Sequence, residues 1–326
     1  MKKRKLGKSG LDVSEIGLGC WQLGGDFGPL DDSRAQSILA AAAQCGINFW
    51  DTADVYGGGR SERLIQQYRS EHDTDVFVAT KVGRDASLYP NGYSKAKVRA
   101  NIEASARRLG TDVLDLVQLH CVPPEILKAG DLLGWMEDFQ AEGLIRAFGA
   151  SVETLDEAMV AASHPGLASL QIIFNLFRQN AIDTLFPLAA ANQVGIIVRL
   201  PLASGVLSGK MSLNHQFDDS DHRHYNRNGE FFSQGETFSG VPFETALGFV
   251  EELRACLPDG MSMAQMAMRW ILDYPVVSTV ITGASRPQQV RENAGTSELA
   301  PLGQELHEKL AGFYREHVES TVVVPI

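Results

Sequence analysis

The sequence predicts a (β/α)8 (TIM) barrel with an N-terminal β-hairpin and a long loop between strands seven and eight. Three observations point there. Eight β-rich runs alternate with helical segments, most runs are continuously apolar, and no linker interrupts the rhythm across residues 1–326, which read as one domain. Continuous apolarity is what a parallel strand shows when helices cover both faces of its sheet. An open doubly wound sheet is the other architecture this rhythm permits.

Taken in order, LGKSGLDV holds a Lys-Ser-Gly turn between two extended pieces and predicts the hairpin. Strands are expected at 13–19, 47–50, 76–80, 113–119, 145–150, 170–174, 195–200 and 277–282. Helices are expected at 33–44, 94–109, 132–141, 155–162, 182–192 and 263–272. Thr154 and Glu157 form a capping box, and Cys45-Gly46 supplies a glycine stop. About 80 residues separate the last two strands, against nearer 30 in earlier steps, and a loop of that length is functional or disordered. Its polar part is 212–242, and a helix-like stretch, 243–257, follows.

With 40 acidic against 29 basic residues the net charge is −11, which argues against nucleic acid or an anionic membrane as main partner. The lysine-rich opening MKKRKLGKSG reads as a solvated edge strand, and no run is long enough to span a bilayer. Cys20, Cys45, Cys121 and Cys256 form no CxxC pair and read as thiols of a reducing cytoplasm. The histidines lack metal spacing, so no metal is expected.

In a parallel barrel the reacting groups gather at the carboxyl ends of the strands. Asp51, Lys81 and His120 cap three consecutive predicted strands, and Tyr56 follows Asp51 closely enough to fold back over it. A free tyrosine is a poor acid at neutral pH, and a lysine ammonium beside it favours the phenolate. A carboxylate holds such a lysine charged, and a histidine can orient a carbonyl oxygen. The quartet suits carbonyl reduction, with a proton from Tyr56 and hydride from a cofactor. It is equally consistent with an ordinary ion pair, a loop anchor and a rim histidine.

The dinucleotide fingerprint is missing, since Gln22 stands where GxGxxG needs its third glycine, and GVLSGK is no Walker loop. The loops after strands seven and eight offer another hold. PLASGVLSGK (201–210) combines small residues with a lysine, and GASRPQQVRENAG (283–295) opens a helix whose amides and Arg286 favour an anion. A plain glycine-rich loop and a plain helix start explain them as well.

Together, DTADVYGGGRSE, ATKVG, LVQLHC, GASVE, PLASGVLSGK and TGASRPQQVRENAG, in this order, resemble the aldo-keto reductase family over essentially the whole chain. The resemblance implies an oxidoreductase that reduces an aldehyde or ketone with a nicotinamide cofactor bound along the barrel top without a Rossmann domain. The family tetrad falls on Asp51, Tyr56, Lys81 and His120. Tyr56 would be the acid, Lys81 the modifier that lowers its pKa, Asp51 the lysine's partner and His120 the carbonyl-orienting group. Cys20 and Trp21 would line the nicotinamide pocket, and Ser151 and Gln171 would hold the carboxamide. Pro201, Leu202, Ser204, Gly205, Leu207 and Lys210 would cradle the pyrophosphate, and Asp51, Arg199 and Leu200 would also meet the cofactor. Gly283, Ser285, Arg286 and Gln289 would meet the adenosine ribose and its 2′-phosphate, and Glu292 and Asn293 the adenine, so NADPH is expected and NADH is possible.

Two departures stand out. Val152 replaces the asparagine common after the strand-five serine, and Arg199 stands where many members stack an aromatic ring on the nicotinamide. Arg199 either stacks through its guanidinium plane or pairs with an acidic neighbour on the rim. Arg223 or Arg227 folds over the cofactor in this reading, and Trp21, Tyr89 and the long loop shape the pocket of a small carbonyl substrate. Phe231, Phe232 and Phe238 either join that pocket or pin the loop down. The alternatives are a sugar or polyol dehydrogenase preferring NAD, and a cofactor-sensing regulatory subunit like the potassium-channel β subunits of this fold.

Overall fold

The structure, a computed structural model, describes residues 1–325. Its first two strands, β1 (Lys3–Lys5) and β2 (Asp12–Ser14), form an antiparallel hairpin. The eight that follow are β3 (Ile16–Gly19), β4 (Phe49–Asp51), β5 (Phe77–Val82), β6 (Leu114–His120), β7 (Ile145–Ser151), β8 (Ser169–Ile173), β9 (Gly195–Arg199) and β10 (Val277–Gly283). They close into a barrel in the order β10-β3-β4-β5-β6-β7-β8-β9, with parallel neighbours throughout. The expected strand 13–19 is therefore two strands. The break falls at Glu15, whose buried carboxylate accepts from Arg4 and from the Ser297 hydroxyl.

Helices follow the strands, and several are started by side-chain caps. Asp31 caps Asp32–Gln44, Ser94 caps Lys95–Leu109, and capping boxes open Leu155–Ala162 and Met263–Leu272. Gly46, at φ +72°, ends the first of these as its position suggested. The helix expected at 182–192 is shorter, Leu185–Ala191, because Pro187 fits only its first turn, where the missing N–H has no partner to lose. The stretch 243–257 is a helix over Phe243–Leu253 and a 3-10 turn over Arg254–Cys256. Segment 212–242 is not featureless: it holds a helical turn at His222–Tyr225 and 3-10 turns at Gln234–Glu236 and Phe238–Gly240.

Side chains alternate across each strand, so every second residue enters the barrel. The lower inward layer is apolar: Phe49, Ala79, Leu116, Ala147, Ile197 and Ile281 pack with Leu6, Leu11 and Val13 of the hairpin, which plugs the bottom. Two residues further along the same strands the inward positions are polar: Asp51, Lys81, Gln118, Arg199. The outward residues, Trp50 and Val117 among them, join a larger core under the helices. The apolar layer thus forms the floor on which the polar layer stands.

Arg4 ties the hairpin to that floor. It donates to the carbonyls of Leu272 (2.6 Å), Tyr274 (3.2 Å) and Val277 (2.8 Å) and pairs with Glu15 at 2.7 Å. Arg4→Ala strands the buried Glu15 charge, so the chain should lose ~3–5 kcal/mol of stability, read as a lower urea midpoint. An unchanged midpoint would show the hairpin to be an appendage.

Candidate active site

Asp51, Lys81 and His120 end up on one rim because β4, β5 and β6 are neighbours. Their register sets Asp51 beside Ala79, and Lys81 beside Gln118. The Lys81 ammonium pairs with Asp51 and donates to the Thr52 carbonyl (2.8 Å) and to Tyr56 Oη (3.3 Å). Lys81 and Asp51 are 1% and 2% exposed, so neither charge has bulk water for compensation. The other Asp51 oxygen accepts from Gln118 (3.0 Å) and Gln171 (2.7 Å). Gln118 has no assignment from the sequence, although its place two residues before His120 on one strand face sets it in the same layer.

Tyr56 reaches the quartet through a backbone that only glycine can build. Gly57, Gly58 and Gly59 sit at φ +57°, +58° and +83°, and a Cβ on Gly57 would lie 2.5 Å from the Gly24 carbonyl oxygen. The chain then enters the helix Arg60–Glu71. Trp21 stacks on Tyr56, with ring centroids 5.8 Å apart.

The electrostatics correct one expectation. Burial pushes the Tyr56 phenol up to about 12; Asp51 and Glu236 add to the rise, and the Lys81 charge only partly offsets it. Tyr56 is held as a protonated donor, not as a ready phenolate. Burial pulls Lys81 down, yet Asp51 and Tyr56 together more than offset it, and the ammonium stays charged. Burial, with Arg84, Lys81 and Arg199 nearby, holds His120 well below the usual histidine range, so its ring is neutral.

A cleft of about 710 Å³ opens above this group and runs to the loops after β9 and β10. Of the residues read from the sequence, Trp21, Asp51, Tyr56, His120, Ser151, Gln171, Arg199, Leu200, Pro201, Leu202, Ser204, Gly205, Lys210, Gly283, Ser285, Gln289, Glu292 and Asn293 line it. Four do not. Cys20 and Leu207 are fully buried behind the wall, Lys81 lies beneath Tyr56, and Arg286 points to solvent at the helix start. Tyr89 is 48% exposed and outside the cleft; among the loop phenylalanines Phe232 lines it, Phe238 is buried and Phe231 is exposed.

Arg199 pairs with Glu236 (3.5 Å) and donates to the Val152 carbonyl (3.1 Å), so the expected rim pairing is present. Arg223 lines the cleft and is clamped by Asp221. Residues without a prior assignment also surround the reacting end: Arg84, Glu236, Phe27 and Asp26, which accepts from the Trp21 indole (2.8 Å). His222 also stacks on Trp21, with centroids 4.8 Å apart. These come from loops distant in sequence, and no spacing rule joins them. Cys121 Sγ and the carboxylates of Glu153 and Glu236 lie within 4.8 Å of one another, but the carboxylates already face Arg84 and Arg199.

The cleft suits an extended dinucleotide. Leu200, Ala203, Ser204 and Gly205 all have positive φ and fold the chain into a tight turn along the cleft wall. A Cβ on Gly205 would lie 2.8 Å from Met211. Lys210 stands 3.7 Å from Glu292, spanning the loop after β9 and the helix after β10. Hydroxyl and amide groups of Ser151 and Gln171 stand at the reacting end.

Comparison with known proteins agrees with this geometry. The Aldo/keto reductase family model matches residues 15–315. The uncharacterized oxidoreductase YqkF of Bacillus subtilis is 32% identical over 309 residues, covering 94% of each chain. The NADH-specific methylglyoxal reductase of Escherichia coli is 28% identical, covering 98% of this chain and 99% of its own. Among solved structures, the glycerol dehydrogenase AKR11B4 from Gluconobacter oxydans superposes with a TM-score of 0.79 at 26% identity, over 100% of this chain and 97% of that one. The chain belongs to the aldo/keto reductase family and is an oxidoreductase. Among the described residues no helix is long and apolar enough to cross a membrane.

Asp54, within the same DTADVY stretch, is 7% exposed, and no side chain pairs with either carboxylate oxygen. Burial, with Glu62 nearby, pushes it up to about 7 from 3.8. Because the folded pKa is the higher one, its ionisation opposes folding above about pH 4, and the full penalty stands only above pH 7. Asp54→Asn should therefore raise stability by on the order of 2–4 kcal/mol at pH 8 and by little near pH 4. Urea melts at the two pH values measure this; an equal effect at both would refute it.

Proposed function

We propose that this chain reduces a small aldehyde or ketone to an alcohol with NADPH, Tyr56 giving the proton. One observation carries the reading: a half-buried phenol bonded to a lysine that a buried carboxylate keeps charged, opening beside a neutral histidine onto a cleft of dinucleotide size. When bound, reduced nicotinamide would supply hydride. The chain's own residues do the rest.

Tyr56 is protonated at neutral pH and can donate to a carbonyl oxygen as negative charge develops there. Lys81 meets the resulting phenolate with a fixed ammonium, and Asp51, held by Gln118 and Gln171, keeps that ammonium from moving. A neutral His120 can offer an N–H to the same oxygen without adding a competing charge. Trp21 closes the site over Tyr56 and limits water. Ser151 and Gln171 would hold the carboxamide, the turn at 200–205 and Lys210 the pyrophosphate, and Ser285, Gln289, Glu292 and Asn293 the adenosine.

Preference for the 2′-phosphate rests on Arg286, which pairs with no carboxylate among the described residues and stands beside Ser285. The Escherichia coli relative is NADH-specific, and the affinities for the two cofactors separate the readings. NADPH should bind at least about tenfold tighter than NADH, and Arg286→Ala should close that gap, about 1.4 kcal/mol. Equal affinities in the parent chain would make NADH the better reading.

Tyr56→Phe should lower kcat for carbonyl reduction by about 10²–10⁴-fold while cofactor affinity stays unchanged. Retained turnover sinks the proton-donor role. A parent chain that binds cofactor but reduces nothing across aldehydes, ketones and sugars would favour the regulatory alternative.

A further inference from the structure

The reacting end of the cleft carries more buried charge than the tetrad uses. Arg84, two residues beyond β5, and Arg199, at the end of β9, both face it. Each is answered by a carboxylate. Arg84 pairs with Glu153 at 2.6 Å and with Glu236 at 3.4 Å, and Arg199 pairs with the same Glu236 oxygen at 3.5 Å. Lys81 below is taken by Asp51, and Arg223 above by Asp221.

Glu236 is the shared member. It comes from the long loop, not from the barrel, and its 3-10 turn is fixed by the Ser204 hydroxyl, which donates to the Glu236 carbonyl (3.1 Å). Although burial pushes it upward, Arg84 and Arg199 hold its carboxyl below the usual glutamate range, so it is a firm anion. Burial and Glu236 push Glu153 up instead. Two guanidinium groups beside a carbonyl site would otherwise invite a carboxylate-bearing substrate, since arginine binds carboxylates in two-point fashion.

We propose that Glu236 sets the charge selectivity of this site: it occupies Arg84 and Arg199 and restricts the cleft to uncharged carbonyl compounds. A substrate carboxylate must either displace Glu236 or lie against it in a poorly solvated pocket, and both are costly. An uncharged, oxygen-rich compound meets neither penalty; it can bond to the paired groups while its carbon skeleton lies on Trp21, Phe27 and Phe232. The proposal rests on the reductase reading above and adds the substrate class.

The test sets a carboxylate-bearing aldehyde against its uncharged methyl ester: succinic semialdehyde against its methyl ester, and 2-carboxybenzaldehyde against its methyl ester. In the parent chain kcat/KM for the ester should exceed that for the acid by more than about tenfold, or 1.4 kcal/mol. Glu236→Gln frees a guanidinium charge and should shift the acid-to-ester ratio toward the acid by at least about tenfold. Adding Arg84→Gln to that variant should return the ratio toward the parent value. If Glu236→Gln does not fold, Arg84→Gln alone should widen the preference for the ester, because Glu236 then has one cation fewer.

Equal rates for acid and ester in the parent chain overturn the proposal. So does a Glu236→Gln variant that slows both alike, which would make Glu236 a loop latch only. A parent chain that reduces no member of either pair overturns the reductase reading and this inference with it, a result distinct from activity without charge selectivity.

Discussion

The arrangement of this molecule depends on a lysine ammonium kept charged inside a barrel. Lys81 enters the lumen where water cannot follow, and its charge persists only because Asp51 lies directly against it. Asp51 in turn needs both oxygens satisfied, which draws Gln118 from β6 and Gln171 from β8 into the same layer. Four strands are thus bound to one carboxylate. The apolar layer beneath, closed by the hairpin, denies water from below, so the polar layer can be reached only from the cleft above.

A second layer of paired charge sits over the first, with a different origin. Arg84 and Arg199 come from the barrel, but their shared partner Glu236 belongs to the long segment between the last two strands. That segment is fastened at several points. The His222 amide donates to the Asp26 carbonyl (3.0 Å), and the Val323 amide donates to the Gly240 carbonyl (3.0 Å), so the C-terminal tail holds the loop from outside. The barrel supplies reactive groups of fixed geometry, while the loop decides what surrounds them. A long loop is tolerated at small entropic cost, and here it supplies part of the cleft wall, including Arg223, Phe232 and Glu236.

Much of the site was readable because a strand tells which end of itself is reactive. Asp51, Lys81 and His120 each follow an apolar run directly, and the glycines at 57–59 announce a turn that returns Tyr56 to the rim. Gln118 was equally readable, since strand alternation places it on the same face as His120, but its glutamine looked like part of the run. Two other misreadings have plain causes. The 13–19 run concealed a break because Glu15 is paired inside the protein, and Tyr56 was expected to shift downward because the lysine was weighed without the opposing effect of burial.

The barrel of alternating strands and helices, and the placing of Asp51, Lys81 and His120 at the ends of successive strands, followed from the sequence by itself, because each rests on a periodicity along a short stretch of chain. Only the tertiary structure decided that Arg199 meets Glu236, that His222 and Phe232 join Trp21 over the reacting end, and that Cys20, Leu207 and Arg286 stand outside the cleft. These contacts join segments tens to hundreds of residues apart through loops without a repeating pattern. Their partners are chosen by how the loops pack and by which buried charges must be answered, and neither is written in local spacing.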